Sequence, residues 1–517
     1  MQNKPVKVPL TVRDHLYRAR TVYPDRVAFV DEPDQPAPSL GEVTFERLSE
    51  MVDATGAGLD ELGVPMGGRV AMVSHNAGRL LSSFWGVSGN GRIFVPVNFR
   101  LSVAEVSYIV EHSGADALFI DPELADALAP VRCRHKFVIG EASDEVLFGS
   151  GRAPQPWTPD EDQTAVINYT SGTTARPKGV AQTHRSLWLN SAVFGLHTSV
   201  TDRDSYLHTL PMFHCNGWGM PYVLVGMGVK QVVLRKVDGA EILRRIDEHG
   251  ITLLCGAPAV VAAVLDAAAR IDGAVPGAGR TRMVVAGAPP PTRTIERMES
   301  ELGWEFIHLY GLTETAPVLT INRSRPEWDD LSPADRARKL SRQGMPALGV
   351  RMKLSDSGEF LARCNHVLDG YWEQPEADAE AIVDGWFHTG DGGHLDADDG
   401  YYTITDRRKD VIISGGENVS SIEVEDTLFS HPAVAEVAVI GVPHQKWGET
   451  VKALVVLAPG SCATPEELIA YCRERIAAYK CPTSVELRDE LARTATGKLQ
   501  KFKLREPYWE GMAKAVN

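Results

Sequence analysis

Residues 169–180 read YTSGTTARPKGV. The stretch follows the apolar run TAVIN (164–168), which has the composition of a strand. Thr170, Ser171, Thr173 and Thr174 surround Gly172. Successive backbone N–H groups in such a loop form a nest for an anion, and the hydroxyls add donors. Lys178 supplies a point charge suited to phosphate, and Pro177 stiffens the turn before it. A Walker A loop would need glycine before its lysine and serine or threonine after it; Pro177 and Gly179 stand there instead.

Outward from this loop, short β-branched runs alternate with helical stretches. RVAMVSHN (69–76), RIFVPVN (92–98), ADALFID (115–121) and HKFVIG (135–140) read as strands. So do QVVLRK (231–236), ITLLCGAP (251–258), RMVVAGAP (282–289) and WEFIHLYG (304–311). LTVRDHLYRARTVYP (10–24), SVAEVSYIVEHSG (102–114), GAEILRRIDEHG (239–250) and PAVVAAVLDAAAR (258–270) read as helices, the last apolar nearly all round and so a core helix. This alternation predicts layered α/β architecture with largely parallel sheets.

The texture changes after residue 350. GEFLARCNHVLDGYW (358–372) and GYYTITDRRKDVII (400–413) read as short strands, with hairpin turns at Ser357-Gly358 and Asp399-Gly400. Helix, strand, strand, helix then follow at 420–432, 434–443, 451–459 and 464–479. We expect a large N-terminal domain of several subdomains over 1–406. A small mobile α+β domain then covers 407–517, with a charged hinge at 406–410.

Bulk properties exclude several classes. The 517 residues exceed one simple core, and 44% apolar with 23% charged residues describes an ordinary globular chain. A net charge of −15 argues against nucleic-acid binding. The seven cysteines form no CxxC pair, so neither a zinc site nor a disulfide framework is expected. The N-terminal residues lack a signal-peptide core, and PYVLVGMGVKQVVL (221–234), broken by Lys230, is too short to span a bilayer. The expected location is cytoplasmic, as a monomer or homodimer. No GxSxG elbow is present, and the acids of LDADDGY (395–401) lack EF-hand spacing.

Four further motifs accompany the loop: HLYGLTET (308–315), GWFHTGD (385–391), DRRKDVIISGGENV (406–419) and ARTATGK (492–498). With YTSGTTARPKGV, in this order and spacing, they closely resemble the signatures of the adenylate-forming superfamily. That superfamily comprises acyl-CoA synthetases, carrier-loading adenylation domains and beetle luciferases. The resemblance runs over nearly the whole chain, and TLPMFHCNGW (209–218) looks most like the acyl-CoA ligase branch.

The resemblance implies that ATP and a carboxylate give acyl-AMP, after which the thiol of coenzyme A displaces AMP. Lys498 matches the lysine that bridges carboxylate and α-phosphate, and Glu314 the acid that directs Mg. Asp391 matches the acceptor of the ribose hydroxyls, and Arg407 a nucleotide contact. Tyr310, Gly311 and Thr313, with Gly287, Ala288 and Pro289, line the nucleotide slot. Lys409 aligns with the hinge; Gly415, Gly416, Trp447, Tyr479 and Lys480 fit the places that hold CoA. His214 stands at the mouth of an acyl pocket formed with Gly217, Trp218, Gly219, Met220, Gly311 and Ala316. Small and apolar, these residues imply a roomy pocket for a medium-to-long or ring-bearing hydrophobic acid.

The sequence departs from the pattern in three places: Ala175, where glycine is usual, the pair Cys364-Asn365, and Ala492. A methyl at 175 would disturb the pyrophosphate grip and leave thioester formation alone. The sequence therefore admits a full two-step ligase, or an enzyme that mainly thioesterifies a ready-made acyl-AMP supplied by a partner adenylating enzyme. Loading of a carrier-protein pantetheine, a luciferase-like oxygenase, and an inactive nucleotide- or acyl-AMP-binding protein are the other readings.

Overall fold

Two large mixed sheets, each closed at one or both edges by antiparallel strands, position the phosphate loop and its surroundings. A computed structural model describes residues 7–170, 177–407, 410–414, 417–444, 447–493 and 499–509. In the seven-stranded sheet the spatial order is Gly370–Tyr371, Lys178–Thr183, Thr164–Thr170, Ile93–Val97, Arg69–Val73, Ala115–Ile120, His135–Val138. Pairing is parallel from Thr164–Thr170 to His135–Val138 and antiparallel beyond it. The described strands on either side of 171–176 pair antiparallel, with Thr170 facing Lys178 across the ladder. A Walker A loop instead passes straight from strand into helix. Here helix His184–His197 begins only after the second strand, capped by the Thr183 hydroxyl.

The nine-stranded sheet carries six parallel strands, in the order Glu305–Gly311, Arg282–Val285, Leu253–Gly256, Ser205–His208, Lys230–Val233, Val27–Val30. Their β-branched and apolar side chains are buried on both faces, as parallel strands under helices require. Arg351–Leu354, Glu359–Arg363, Ile382–Val383, Trp386–Leu395 and Tyr402–Arg407 form a third, antiparallel sheet, whose last strand ends at Arg407. A fourth begins at Ile412 and is built on the long pair Val434–His444 and Gly448–Leu457. Its own apolar core includes Val439, Val451, Leu428 and Leu468.

Two expectations change. Helix Pro258–Ala268 buries only the face of Val260, Val261, Val264, Leu265 and Ala268; Ala259, Ala262 and Asp266 are exposed. Alanine counts as apolar in a pattern but has little area to bury. Of the run 358–372, only Glu359–Arg363 and Gly370–Tyr371 are strands, and they join different sheets. Between them the chain bonds to the 314–315 turn instead. His366 Nδ1–H donates to Thr315 O at 2.8 Å, and Leu368 N–H to Glu314 O at 2.6 Å.

Candidate active site

Glu314 lies on the single turn Thr313–Thr315 that follows strand Glu305–Gly311. Gly311 is required there by close approach, because a β-carbon would lie 1.5 Å from Pro317 O. The Tyr371 hydroxyl donates to Glu314 Oε1 at 3.0 Å, and Lys178 Nζ sits 4.8 Å from the centre of the Tyr371 ring. One tyrosine therefore joins the expected metal-directing acid to the expected phosphate lysine. Burial, then the Glu314 charge, raises the Tyr371 phenol well above its ordinary pKa, so it stays a donor. Ser171, Gly172, Thr173, Thr174 and Ala175 lie outside the described residues. Tyr371→Phe removes a hydrogen bond to a charged group, worth about 1.5–3 kcal/mol. We expect carboxylate-dependent pyrophosphate exchange to slow roughly tenfold, with thioester formation from preformed acyl-AMP near wild type. Equal loss in both steps would argue that Tyr371 serves the fold and leaves the phosphates alone.

On the nucleotide side, the Tyr310 hydroxyl donates to Asp391 Oδ2 at 2.8 Å, and both residues are buried. Asp391 pairs in the ladder with Arg407, which brings GWFHTGD against the end of the third sheet. Val285 pairs with His308, so the segments Gly287–Pro289 and Tyr310–Gly311 leave neighbouring parallel strands side by side. This is the carboxyl end of a parallel sheet, where α/β folds place ligands. Gly287 adopts φ 87°, a left-handed turn that glycine permits without strain.

The expected acyl wall has an unusual backbone. Cys215, Asn216, Gly217, Trp218 and Gly219 all take positive φ, between 46° and 79°. Left-handed geometry costs roughly 1–2 kcal/mol per non-glycine residue, so the turn needs outside support. A chain of buried amides supplies it. Asn168 Nδ2 donates to Asn216 Oδ1 (3.2 Å), Asn216 Nδ2 to Gln182 Oε1 (3.0 Å), and Gln182 Nε2 to Thr313 O (2.7 Å). Asn190 adds a second tie, donating to Trp218 O at 3.2 Å and accepting Val318 N–H at 3.0 Å. Gly219 must be glycine, since a β-carbon would meet Asn190 Nδ2 at 2.5 Å. Trp218, Met220 and Ala316 are buried, and His214 is half-buried at the start of the turn. Burial pushes the Cys215 thiol up to about 12, which removes it as a nucleophile.

Motif reasoning missed Tyr371 as a site residue, along with Asn168, Gln182, Asn190 and Asn216. Asn168 and Gln182 interrupt otherwise buried strands, at TAVINYT and KGVAQT. A lone amide in such a run is the signal that could have found them.

Of the expected CoA contacts, Trp447 is 41% exposed and stacks on His444, ring centres 4.5 Å apart. Tyr479 is 51% exposed. Lys480 binds both Glu423 oxygens at 2.7 Å, which raises its pKa. Gly415, Gly416, Lys409 and Lys498 lie outside the described residues, as does the Arg407 side chain. Among the described residues no cluster of three metal-ligating side chains occurs. A single carboxylate, Glu314, beside Lys178 suits Mg, which is held by one or two carboxylates together with substrate phosphates. Among the described residues no helix is long and apolar enough to cross a membrane.

Residues 16–372 match the model of AMP-binding enzymes, and 423–498 that of the AMP-binding enzyme C-terminal domain. The chain is 36% identical to 4-hydroxybutyrate–CoA ligase 2 of Metallosphaera sedula, over 97% of this chain and 94% of that protein. It is 35% identical to the 2-methylpropanoate–CoA ligase of Humulus lupulus, over 96% and 95%. It superimposes on o-succinylbenzoate–CoA synthetase from Bacillus subtilis, solved with its acyl-adenylate intermediate. The TM-score is 0.82 at 28% identity, covering 96% of this chain and 98% of that one.

Proposed function

We propose, for a chain that belongs to the AMP-binding enzyme family and is an acyl-CoA ligase working through an acyl-adenylate, that its acid is a short aliphatic one of about the size of 2-methylpropanoate. The observation that carries this is the burial of Trp218. Its side chain is 4% exposed and sits in the same apolar cluster as Ala286, next to Gly287, Tyr310 of the nucleotide slot, and Val318, two residues after Ala316. An indole there occupies space that the glycines around it would leave to a longer chain. The acid is thus narrower than the composition of small residues implies. The relatives named for 4-hydroxybutyrate and 2-methylpropanoate support this size.

Both steps are assigned to this chain. Lys178 and the hydroxyls of 170–174 grip the outer phosphates, Asp391 takes the ribose, and the Tyr310 ring faces the base. Glu314 directs Mg, which when bound neutralises phosphate charge. Lys498 bridges the carboxylate and the α-phosphate; pyrophosphate leaves and acyl-AMP remains. The C-terminal unit then turns about 406–410, with Lys409 at the hinge. Gly415, Gly416, Trp447, Tyr479 and Lys480 guide the CoA thiol to the acyl carbon, and AMP leaves. Full-length relatives named as CoA ligases favour this over thioesterification alone, carrier loading, luciferase-like oxidation or mere binding. Seven free cysteines suit a reducing, cytoplasmic location.

The test is AMP release with ATP and CoA across acetate, 2-methylpropanoate, octanoate and benzoate. The branched short acid should lead, and better turnover of octanoate or benzoate would refute the size assignment. Trp218→Gly probes the cause. Glycine relieves the left-handed strain at φ 61° while deleting the indole. Since each methylene buried is worth about 0.8 kcal/mol, octanoate should gain at least tenfold in kcat/KM relative to 2-methylpropanoate. An unchanged ratio would place the indole outside the acyl path.

A further inference from the structure

Among the described residues, away from the 406–410 connection, Thr292 and Asp426 tie the N-terminal unit to the C-terminal one. Thr292 N–H donates to Asp426 Oδ1 at 2.9 Å, and Thr292 Oγ–H to Asp426 Oδ2 at 3.0 Å. Thr292 opens helix Thr292–Arg297, directly after the segment Gly287–Pro291. The residue before it, Pro291, makes no side-chain bond to this first turn, so a carboxylate from the other unit supplies the acceptor. Asp426 itself is on helix Ser421–Phe429.

That helix is anchored beside the connection. Ser421 N–H and Oγ–H donate to Asp406 Oδ2 at 3.0 and 2.5 Å, and the Ser420 hydroxyl donates to Thr405 O. Lys501, from the last helix, binds Ser421 Oγ and, at 2.8 Å, Glu425. The start of the helix is thus tied to the pivot. Asp426 lies five residues further on, about 7 Å along the axis at about 1.5 Å per residue. A rotation of tens of degrees about the pivot barely stretches the Ser421 bonds. It carries Asp426 beyond the reach of a hydrogen bond to Thr292.

We propose that Asp426 is a positioning residue that holds the C-terminal unit in this pose, and so favours one of the two half-reactions over the other. The proposal depends on the enzyme having two half-reactions and not on which acid it uses. A failed substrate assignment therefore leaves it standing.

The experiment measures two rates on the full chain: carboxylate-dependent pyrophosphate exchange, and thioester formation from synthetic acyl-AMP and CoA. Asp426→Ala should move them in opposite directions and change their ratio roughly tenfold. Asp426→Asn keeps an oxygen for the Thr292 N–H and should restore the wild-type ratio. Thr292→Pro deletes both donors from the other side. Pro291 already sits at φ −58°, ψ 137°, which a following proline requires, and proline is tolerated at a first helical position. It should reproduce the Asp426→Ala ratio even if that variant folds poorly, and the double variant should add nothing. Parallel loss of both rates, no change in their ratio, or an Asn variant that behaves like Ala would each overturn the proposal.

Discussion

Glu314→Gln is expected to slow adenylation by on the order of 100-fold while leaving the fold intact. The substitution keeps an oxygen at the Oε1 position, so the Tyr371 hydroxyl retains its acceptor. It keeps the backbone bond from Leu368 as well. What it removes is the negative charge next to the Lys178–Tyr371 pair. In the proposed metal-directing role, Glu314 would lose the charge it offers a hard cation that is otherwise bound by the substrate phosphates. The Mg concentration for half-maximal pyrophosphate exchange should therefore rise along with the fall in rate. Thioester formation from preformed acyl-AMP needs no pyrophosphate stabilisation and should change little. A variant with lowered exchange but wild-type Mg dependence would assign Glu314 to the acyl turn instead of the metal.

Lys498→Ala is expected to have a comparable or larger effect, roughly 100- to 1,000-fold on exchange, and again little on the second step. Carboxylate and α-phosphate are both anionic, and their approach needs a cation between them. The neighbouring lysines do not substitute. Lys501 is engaged with Glu425 and Ser421; burial opposes its charge while the Glu425 and Asp406 carboxylates raise its pKa. Lys503 is exposed on the last helix. Loss of thioester formation to the same degree would mean that Lys498 serves both poses.

The contrast between these residues and Tyr371 shows where sequence reading stops. Lys498, Glu314 and Asp391 stand inside short motifs whose resemblance to the adenylate-forming signatures implies phosphate, metal and ribose roles. Tyr371 sits on the short strand Gly370–Tyr371, and its partner Glu314 is 57 positions away, on the turn that follows a strand of the other large sheet. Nothing local distinguishes a tyrosine that bridges an acid and a lysine from one that packs. The roomy acyl pocket has the same origin. Gly217, Gly219 and Ala316 are small, but two of these occupy positive-φ positions demanded by the turn, and Ala316 also lies at φ 66°. Small residues there serve backbone geometry, so their size is no direct measure of pocket volume.

Sequence alone determined the order of strands and helices along the chain, the hairpin turns, the C-terminal helix–strand–strand–helix pattern and the five motifs of an adenylate-forming enzyme. These are written in neighbouring residues, through periodicity, turn chemistry and spacing. Only the tertiary structure decided which strands lie side by side, that Thr164–Thr170 and Lys178–Thr183 pair antiparallel, and how a left-handed turn is held by Asn168, Gln182, Asn190 and Asn216. It also decided that Asp426 reaches Thr292 across 134 positions. Such contacts depend on packing between distant segments, and a buried amide or carboxylate takes whichever partner the fold brings within hydrogen-bonding reach.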